Sequence, residues 1–249
     1  QFLYFIGGML TAAAQQFDLA AALKRDGYAV IDDAVDAATC AALAQEYEDL
    51  HGAGLFEVSG NVVEEAVLVK QGVEELDLMV HRERRASDQM LQMCPRLAGL
   101  LEPADGHLLL PYLQSQLPDV KLCALDQLKI QRAEMPAPGA APTSCFPMHF
   151  DTSAEFETRR TVTVLLYLTD DDGVSGGELD VFPFPAGATA ALAPKRGRVV
   201  VFGSFFLYHR TRPLLPPTGP DGVPRVRRAL SLWFASDEKN DGIVAQSLL

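Results

Sequence analysis

Between Arg160 and Leu168 apolar and polar positions fall in the two-residue period of a strand. Thr161, Thr163, Leu165 and Tyr167 share one face, and Val162, Val164, Leu166 and Leu168 form a wholly apolar opposite face. The first face can line a partly polar cavity while the second packs on a core. Glu178 to Phe182 reads as a second short strand stopped by Pro183, after an acidic, glycine-containing turn from Asp170 to Gly177. Lys195-Arg-Gly197 turns the chain into a third strand, Arg198 to Phe206, which delivers His209, and a fourth runs from Arg227 to Phe234. Upstream, Tyr28 to Ile31 and Leu122 to Gln131 read as strands, the latter followed by an Ala-, Pro- and Gly-rich loop from Ala133 to Ser144.

Helical spacing marks the amino-terminal part. Phe17 to Arg25 predicts a short helix stopped by Gly27, and Cys40, Leu43, Ala44, Tyr47 and Leu50 recur on one face of a helix from Ala37 to Leu50 capped by Asp36. Further helical tendencies lie at Asp88 to Leu101 and Gly106 to Leu117, and these elements are expected on the outer face of the sheet. Ser59 to Arg85 mixes charge and apolar character without a clear period and is a candidate lid. Strands separated by Gly and Pro turns, with no helical pattern among them, predict a mainly β chain with flanking helices (α+β), its sheets forming an antiparallel sandwich or barrel with a ligand-filled mouth.

Composition sharpens this picture. With 249 residues, 48% of them hydrophobic, one sizeable core is expected, and no apolar run approaches the roughly 20 residues that span a bilayer. Leu3-Tyr-Phe5 and Gly7-Gly-Met9 look like a cleavable tag linker, so 1–8 is read as a tag remnant and 9–249 as a single domain, with helical support over about 15–120 and a β core over about 121–236. Cys40, Cys94, Cys123 and Cys145 are scattered without a Cys-x-x-Cys pair, which favours free thiols in a reducing, cytoplasmic setting over a disulfide frame or zinc site. A net charge of -12 argues against general nucleic-acid binding. Lys195 to Arg228 is the exception, with eight basic residues and one acid, Asp221, either as solvated strand ends or as a mouth attracting an anion. Asp170-Asp-Asp172 lacks the alternating ligand spacing of a calcium loop.

The candidate chemistry lies in His149-Phe-Asp151 and in His209, fifty-eight residues beyond Asp151. In an extended segment His149 and Asp151 project together while Phe150 points away. A third imidazole from a distant strand would close one triangular face of an octahedral ion and leave three positions open, the ligand set of a non-heme Fe(II) oxygenase. Arg227 further on is a cation suited to a dicarboxylate cosubstrate. By strand parity Arg227 shares a face with Ala229, Ser231 and Trp233, whereas Arg228 shares one with Leu230 and Leu232.

Five segments, in order along the chain, resemble the 2-oxoglutarate and Fe(II)-dependent oxygenases of double-stranded β-helix (jelly-roll, cupin-like) fold, and within them the prolyl 4-hydroxylases, including the hypoxia-type enzymes. They are Cys145-Phe-Pro-Met-His149-Phe-Asp151, Arg160 to Leu168, Ser175-Gly-Gly-Glu-Leu-Asp-Val-Phe-Pro183, Pro194 to Phe202 with His209, and Arg227-Arg-Ala-Leu-Ser-Leu-Trp-Phe234. Gly27 to Asp33, Cys40 to Leu50 and Gly54-Leu-Phe56 resemble the hypoxia-type enzymes' entry strand and first long helix; the likeness is patchy from about Asn61 to Leu128. The resemblance implies that His149, Asp151 and His209 are the metal and catalytic residues. It implies that Arg227, six before Trp233, anchors the cosubstrate's distal carboxylate, with Tyr167, Ser231 and Thr163 as further cosubstrate residues. The basic residue stands eighteen after the distal histidine instead of the family's nine or ten, because Arg210 to Val226 inserts a loop with five prolines and two glycines. That loop either touches substrate or projects into solvent.

The implied cofactors are Fe(II), with 2-oxoglutarate and O2 as cosubstrates and ascorbate as a reductant. The implied reaction hydroxylates an unactivated carbon, foremost a prolyl residue of a peptide or protein, releasing succinate and CO2. Two other readings stay open: oxidation of another side chain or a small molecule, and a catalytically silent jelly roll used for binding.

Overall fold

The computed structural model describes residues 9–63, 66–79, 88–101, 109–142, 146–152, 159–169, 174–183, 188–217 and 225–237; the expected tag remnant 1–8, Cys145 and the acidic run 170–172 lie outside them. Two helices, α1 (Ala12–Gln15) and α2 (Leu19–Asp26), lead into strand β1 (Tyr28–Ile31) and the long helix α3 (Ala37–Gly52). As the sequence indicates, α2 ends where Gly27 adopts a left-handed conformation, and the Asp36 side chain accepts a hydrogen bond from the Thr39 amide to start α3. Asp36→Ala should therefore cost about 1 kcal/mol in chemical denaturation, the usual loss for a missing cap.

Next come β2 (Glu57–Val63), β3 (Ala66–Asp77), short helices α4 (Asp88–Met93), α5 (Pro95–Gly99) and α6 (Leu109–Gln116), and β4 (Leu122–Glu134). The remaining strands are β5 (Phe146–His149), β6 (Arg160–Tyr167), β7 (Leu179–Phe182), β8 (Ala190–Leu192), β9 (Val199–Gly203), β10 (Tyr208–Thr211) and β11 (Val226–Ser236). They form a seven-stranded sheet, β1-β9-β6-β11-β4-β3-β2, and a four-stranded sheet, β5-β10-β7-β8, antiparallel throughout. This is the expected jelly-roll arrangement with helices on one side.

The two faces of the large sheet are packed differently. Val162, Val164, Leu166, Val199, Val201, Leu230, Leu232 and Phe234 bury one face against Leu43, Tyr47 and Leu50 of α3 and the other helices. The Tyr47 hydroxyl donates to the Ala229 carbonyl at 2.6 Å, fixing α3 across β11. On the inner face Leu165, Tyr167, Val200, Phe202 and Ala229 meet Leu179 and Val181 of the small sheet.

Three expectations need correction. The third strand stops at Gly203, and His209 stands on its own strand, β10, in the other sheet. A β-carbon on Gly203 would come within 2.4 Å of the Phe206 ring, so the tight turn requires glycine there. The stretch Ser59 to Arg85, read as a candidate lid without a clear period, instead forms much of the β2–β3 hairpin, paired to β4 from Val73↔Ala133 to Asp77↔Lys129, while 80–85 lie outside the described residues. The start of the 210–226 insertion does not project into solvent: Leu214 is fully buried beside Val73, Ala133 and Met135, and Gly177 and Leu215 bond across to Pro213 and Ser175.

Candidate active site

The antiparallel register between β5 and β10 sets His149 opposite His209, with ring centroids 4.3 Å apart. β5 ends at His149, but the alternation carries through the next two residues: Phe150 is exposed, and Asp151 turns inward beside both imidazoles. Asp151 Oδ1 lies 3.5 Å from His149 Nε2 and 3.7 Å from His209 Nε2. Each Nδ1 sits against the carbonyl two residues earlier, Pro147 at 2.7 Å and Leu207 at 3.0 Å, so Nδ1 donates there and, once the Nε2 of each ring has lost any proton, its lone pair faces the cluster. Two neutral imidazoles and one carboxylate within the reach of bonds of about 2.0–2.2 Å suit a divalent ion.

Asp151 is held in place by its other oxygen. Thr163 donates from Oγ1 to Asp151 Oδ2 at 2.7 Å and lies 2.8 Å from Ser204 Oγ, while the Ser204 carbonyl accepts from the Asp151 and Thr152 amides. Thr163 thus steadies the carboxylate and does not reach the cavity. Ser204, in the β9–β10 turn, had no motif to mark it. Burial would raise the Asp151 pKa, but the hydrogen bond from His149, both imidazoles and Thr163 outweigh it and hold the carboxyl at about 2. Burial lowers the pKa of His209 against the opposing pull of Asp151; at His149 burial acts the same way, but Asp151 prevails and the pKa is raised.

The three groups open onto a cavity of about 240 Å³ between the sheets, which Arg227, Ser231, Trp233, Leu165 and Ala229 also line. Arg227 is 4% exposed, its guanidinium carbon 5.2 Å from the centre of the Tyr167 ring. Arg227 Nε and the Tyr167 hydroxyl are buried without a hydrogen-bond partner among the described residues, an arrangement that calls for an acceptor from outside the chain. Burial raises the Tyr167 pKa, with the Arg227 cation opposing, so its hydroxyl keeps a proton to donate. Ser231 Oγ donates to Gln131 at 3.4 Å. Arg228, one residue on, faces α3 and pairs with Glu48 at 2.5 Å.

The basic stretch is mostly neutralised: Lys195 and Arg198 pair with Asp32, Arg210 and Arg212 with Asp180, and Arg228 with Glu48, whereas Arg227 lines the cavity. Sequence reasoning missed the opposite wall, where β3 and β4 supply Lys70, Glu75, Gln127, Lys129 and Gln131. Their signal was the alternation of polar Gln127, Lys129 and Gln131 with apolar Leu128 and Ile130.

Comparison with known proteins agrees with the chemistry of these residues. Residues 138–235, the stretch that holds His149, Asp151, His209 and Arg227, match the family model of the 2OG-Fe(II) oxygenase superfamily, in agreement with the resemblance drawn from the motifs, and the three-ligand cluster fits the Fe(II) that this superfamily's name specifies. A prolyl 4-hydroxylase from Phytophthora capsici is 26% identical with a TM-score of 0.61; the alignment covers 88% of this chain, which spans 62% of that enzyme's length. A prolyl hydroxylase from Trichoplax adhaerens, solved with a hypoxia inducible factor peptide fragment, shares the fold at 16% identity, TM-score 0.58 and 94% coverage of each chain. So does a non-heme α-ketoglutarate-dependent epimerase from nogalamycin biosynthesis, at 16% identity, TM-score 0.57 and coverage of 91% and 84%. Comparison with curated protein sequences finds no match.

Proposed function

We propose that this oxygenase hydroxylates a prolyl residue of a peptide or protein, with His149, Asp151 and His209 holding Fe(II). The observation that carries the reading is the pairing, within one cavity, of this three-ligand cluster with the buried Arg227, whose unpartnered Nε stands beside the equally unpartnered hydroxyl-bearing ring of Tyr167. Bound Fe(II) and 2-oxoglutarate would supply dioxygen activation coupled to release of succinate and CO2. The chain's own part is binding and orientation. Arg227 holds the distal carboxylate of 2-oxoglutarate with its guanidinium fork while Tyr167 donates to the same group, and Ser231 stands on the same strand face. Thr163 and Ser204 fix the Asp151 carboxylate so that Oδ1 faces the ion.

The likeness to prolyl hydroxylases favours a prolyl target, and so does the lip of the site, where the exposed rings of Phe150 and Tyr208 lie 4.8 Å apart and offer a surface for a peptide's apolar side chains. Residues 9–249 act as one domain in this reading, and the free thiols of Cys40, Cys94 and Cys123 suit a reducing cytoplasm. Among the described residues no helix is long and apolar enough to cross a membrane. The test is succinate release with Fe(II), ascorbate, 2-oxoglutarate and a proline-containing peptide library, read by mass spectrometry for a gain of one oxygen on proline. Cosubstrate turnover without peptide oxidation would move the target to another substrate. Failure to bind either Fe(II) or 2-oxoglutarate would leave a silent jelly roll.

A further inference from the structure

The polar wall formed by β3 and β4 carries a cation that the reaction itself does not use. Strand β3 is interrupted opposite Val58 and Gly60, where its partners jump from Glu74 to Val69, and Gly72 within the jump has a positive φ of 70°. Such a bulge re-aims side chains. Here it places Lys70 on the same cavity as Glu75, three residues beyond Gly72, although a separation of five would set the two on opposite faces of a regular strand. The Lys70 ammonium lies 3.8 Å from the centre of the Phe146 ring, three residues before His149 on β5, and makes no hydrogen bond or ion pair among the described residues.

Matching the charges around the cavity leaves Lys70 over. Fe(II) with the Asp151 carboxylate carries one positive charge and Arg227 another, and the 2-oxoglutarate dianion balances both. Glu75 is taken by Lys129 at 2.9 Å and by the Ser59 hydroxyl at 2.7 Å. Arg160, at the Trp233 end, is bound to Asp126 at 2.5 Å. A half-buried ammonium that faces the reacting volume and sits on an aromatic ring feels Glu75 and Asp151 only from beyond ion-pair distance, so it lacks an anion of its own, and the molecule left to bring one is the substrate. Burial lowers the Lys70 pKa to about 8, which leaves it charged near neutrality and gives an incoming carboxylate a poorly hydrated cation to pair with.

We propose that Lys70 is a specificity-determining residue that binds a carboxylate of the substrate, an acidic side chain or chain terminus close to the oxidised carbon. The proposal rests on the oxygenase reading above and adds the chemical class of the substrate to it. Arg cannot be assumed to fill the place at wild-type strength, but it keeps the charge, whereas Met keeps only the stem.

The experiment uses the Fe(II)-loaded full chain and a proline-peptide library in which every acid has its amide partner: Asp against Asn, Glu against Gln, and free against amidated carboxyl terminus. The wild type should oxidise the acid-bearing members with kcat/KM at least ~10-fold above their amides, the value of one charge-assisted contact. The arm showing the difference identifies the side chain or the terminus as its source. Lys70→Met should flatten the preference to within about twofold by raising KM for the acid members alone, and Lys70→Arg should restore most of it. Dissociation constants for Fe(II) and 2-oxoglutarate, measured separately, should not move in either variant. Equal oxidation of acids and amides by the wild type overturns the proposal, as does a preference that survives in Lys70→Met. Cosubstrate turnover with no library member oxidised also overturns it while sparing the oxygenase reading. Weakened 2-oxoglutarate binding in Lys70→Met would reassign Lys70 to the cosubstrate. Failure of the wild type to bind Fe(II) or 2-oxoglutarate would sink the oxygenase reading, and the proposal with it.

Discussion

His149→Ala and His209→Ala should each lose stoichiometric Fe(II), with affinity falling by more than the 10–100-fold typical of residues that only support a metal ligand. The expectation follows from the facing register of β5 and β10, which gives the two imidazoles one shared target, and from the Nδ1 contacts to Pro147 and Leu207 that aim both Nε2 atoms at it. Thr163→Val supplies the graded comparison. It removes the donor to Asp151 Oδ2 without removing a ligand, so iron affinity should drop by about 10–100-fold and no further. Metal analysis of the purified variants decides between these ranks, with circular dichroism to show that each still folds. Retention of one iron per chain and of cosubstrate turnover by both histidine variants would remove the cluster from the reaction.

The elements that could be read from the sequence are those whose two faces have different chemistry. β6 and β11 each set an apolar face on the helices against a mixed face on the cavity, so their period survives in the residue order, and the same parity separates inward Arg227 from outward Arg228. Asp36 and Gly27 announced helix ends because capping is local chemistry. β3 was hidden for two physical reasons. Its inner face carries Lys70 and Glu75 where a core strand would carry apolar residues, and the bulge at Gly72 breaks the two-residue period. The role of Ser204 was equally illegible, since a carbonyl and hydroxyl that meet Asp151 and Thr163 from 53 and 41 residues away leave no trace in spacing. The place of His209 was misread for a related reason: Val199 to Phe206 is apolar except for Gly203 and Ser204, so the run of side chains does not mark the turn that ends the strand at Gly203.

Arg227→Ala should weaken 2-oxoglutarate binding by tens to thousands of fold, since stranding one partner of a buried charge pair costs on the order of 2–5 kcal/mol. Iron affinity should change little, because Arg227 stands apart from the three-ligand cluster. Arg227→Lys should recover only part of the loss: an ammonium cannot reproduce the two parallel bonds of a guanidinium fork. Arg228→Ala provides the internal control. That side chain pairs with Glu48 on the helix-covered face, so its removal should lower stability by no more than about 1 kcal/mol and leave cosubstrate affinity within about twofold. Arg227 has an opposite signature in the absence of cosubstrate. A buried cation whose Nε lacks a partner is costly to the fold, so Arg227→Met, which keeps the apolar stem, should melt at or above the wild-type temperature even as it loses 2-oxoglutarate. Addition of 2-oxoglutarate with a redox-inert divalent ion should then raise the melting temperature of the wild type and not that of Arg227→Met. If Arg228→Ala were the more damaging to cosubstrate binding, or if Arg227→Met still gained stability from 2-oxoglutarate, the anchoring role would belong to another residue and the unpartnered Arg227 and Tyr167 would need a different ligand.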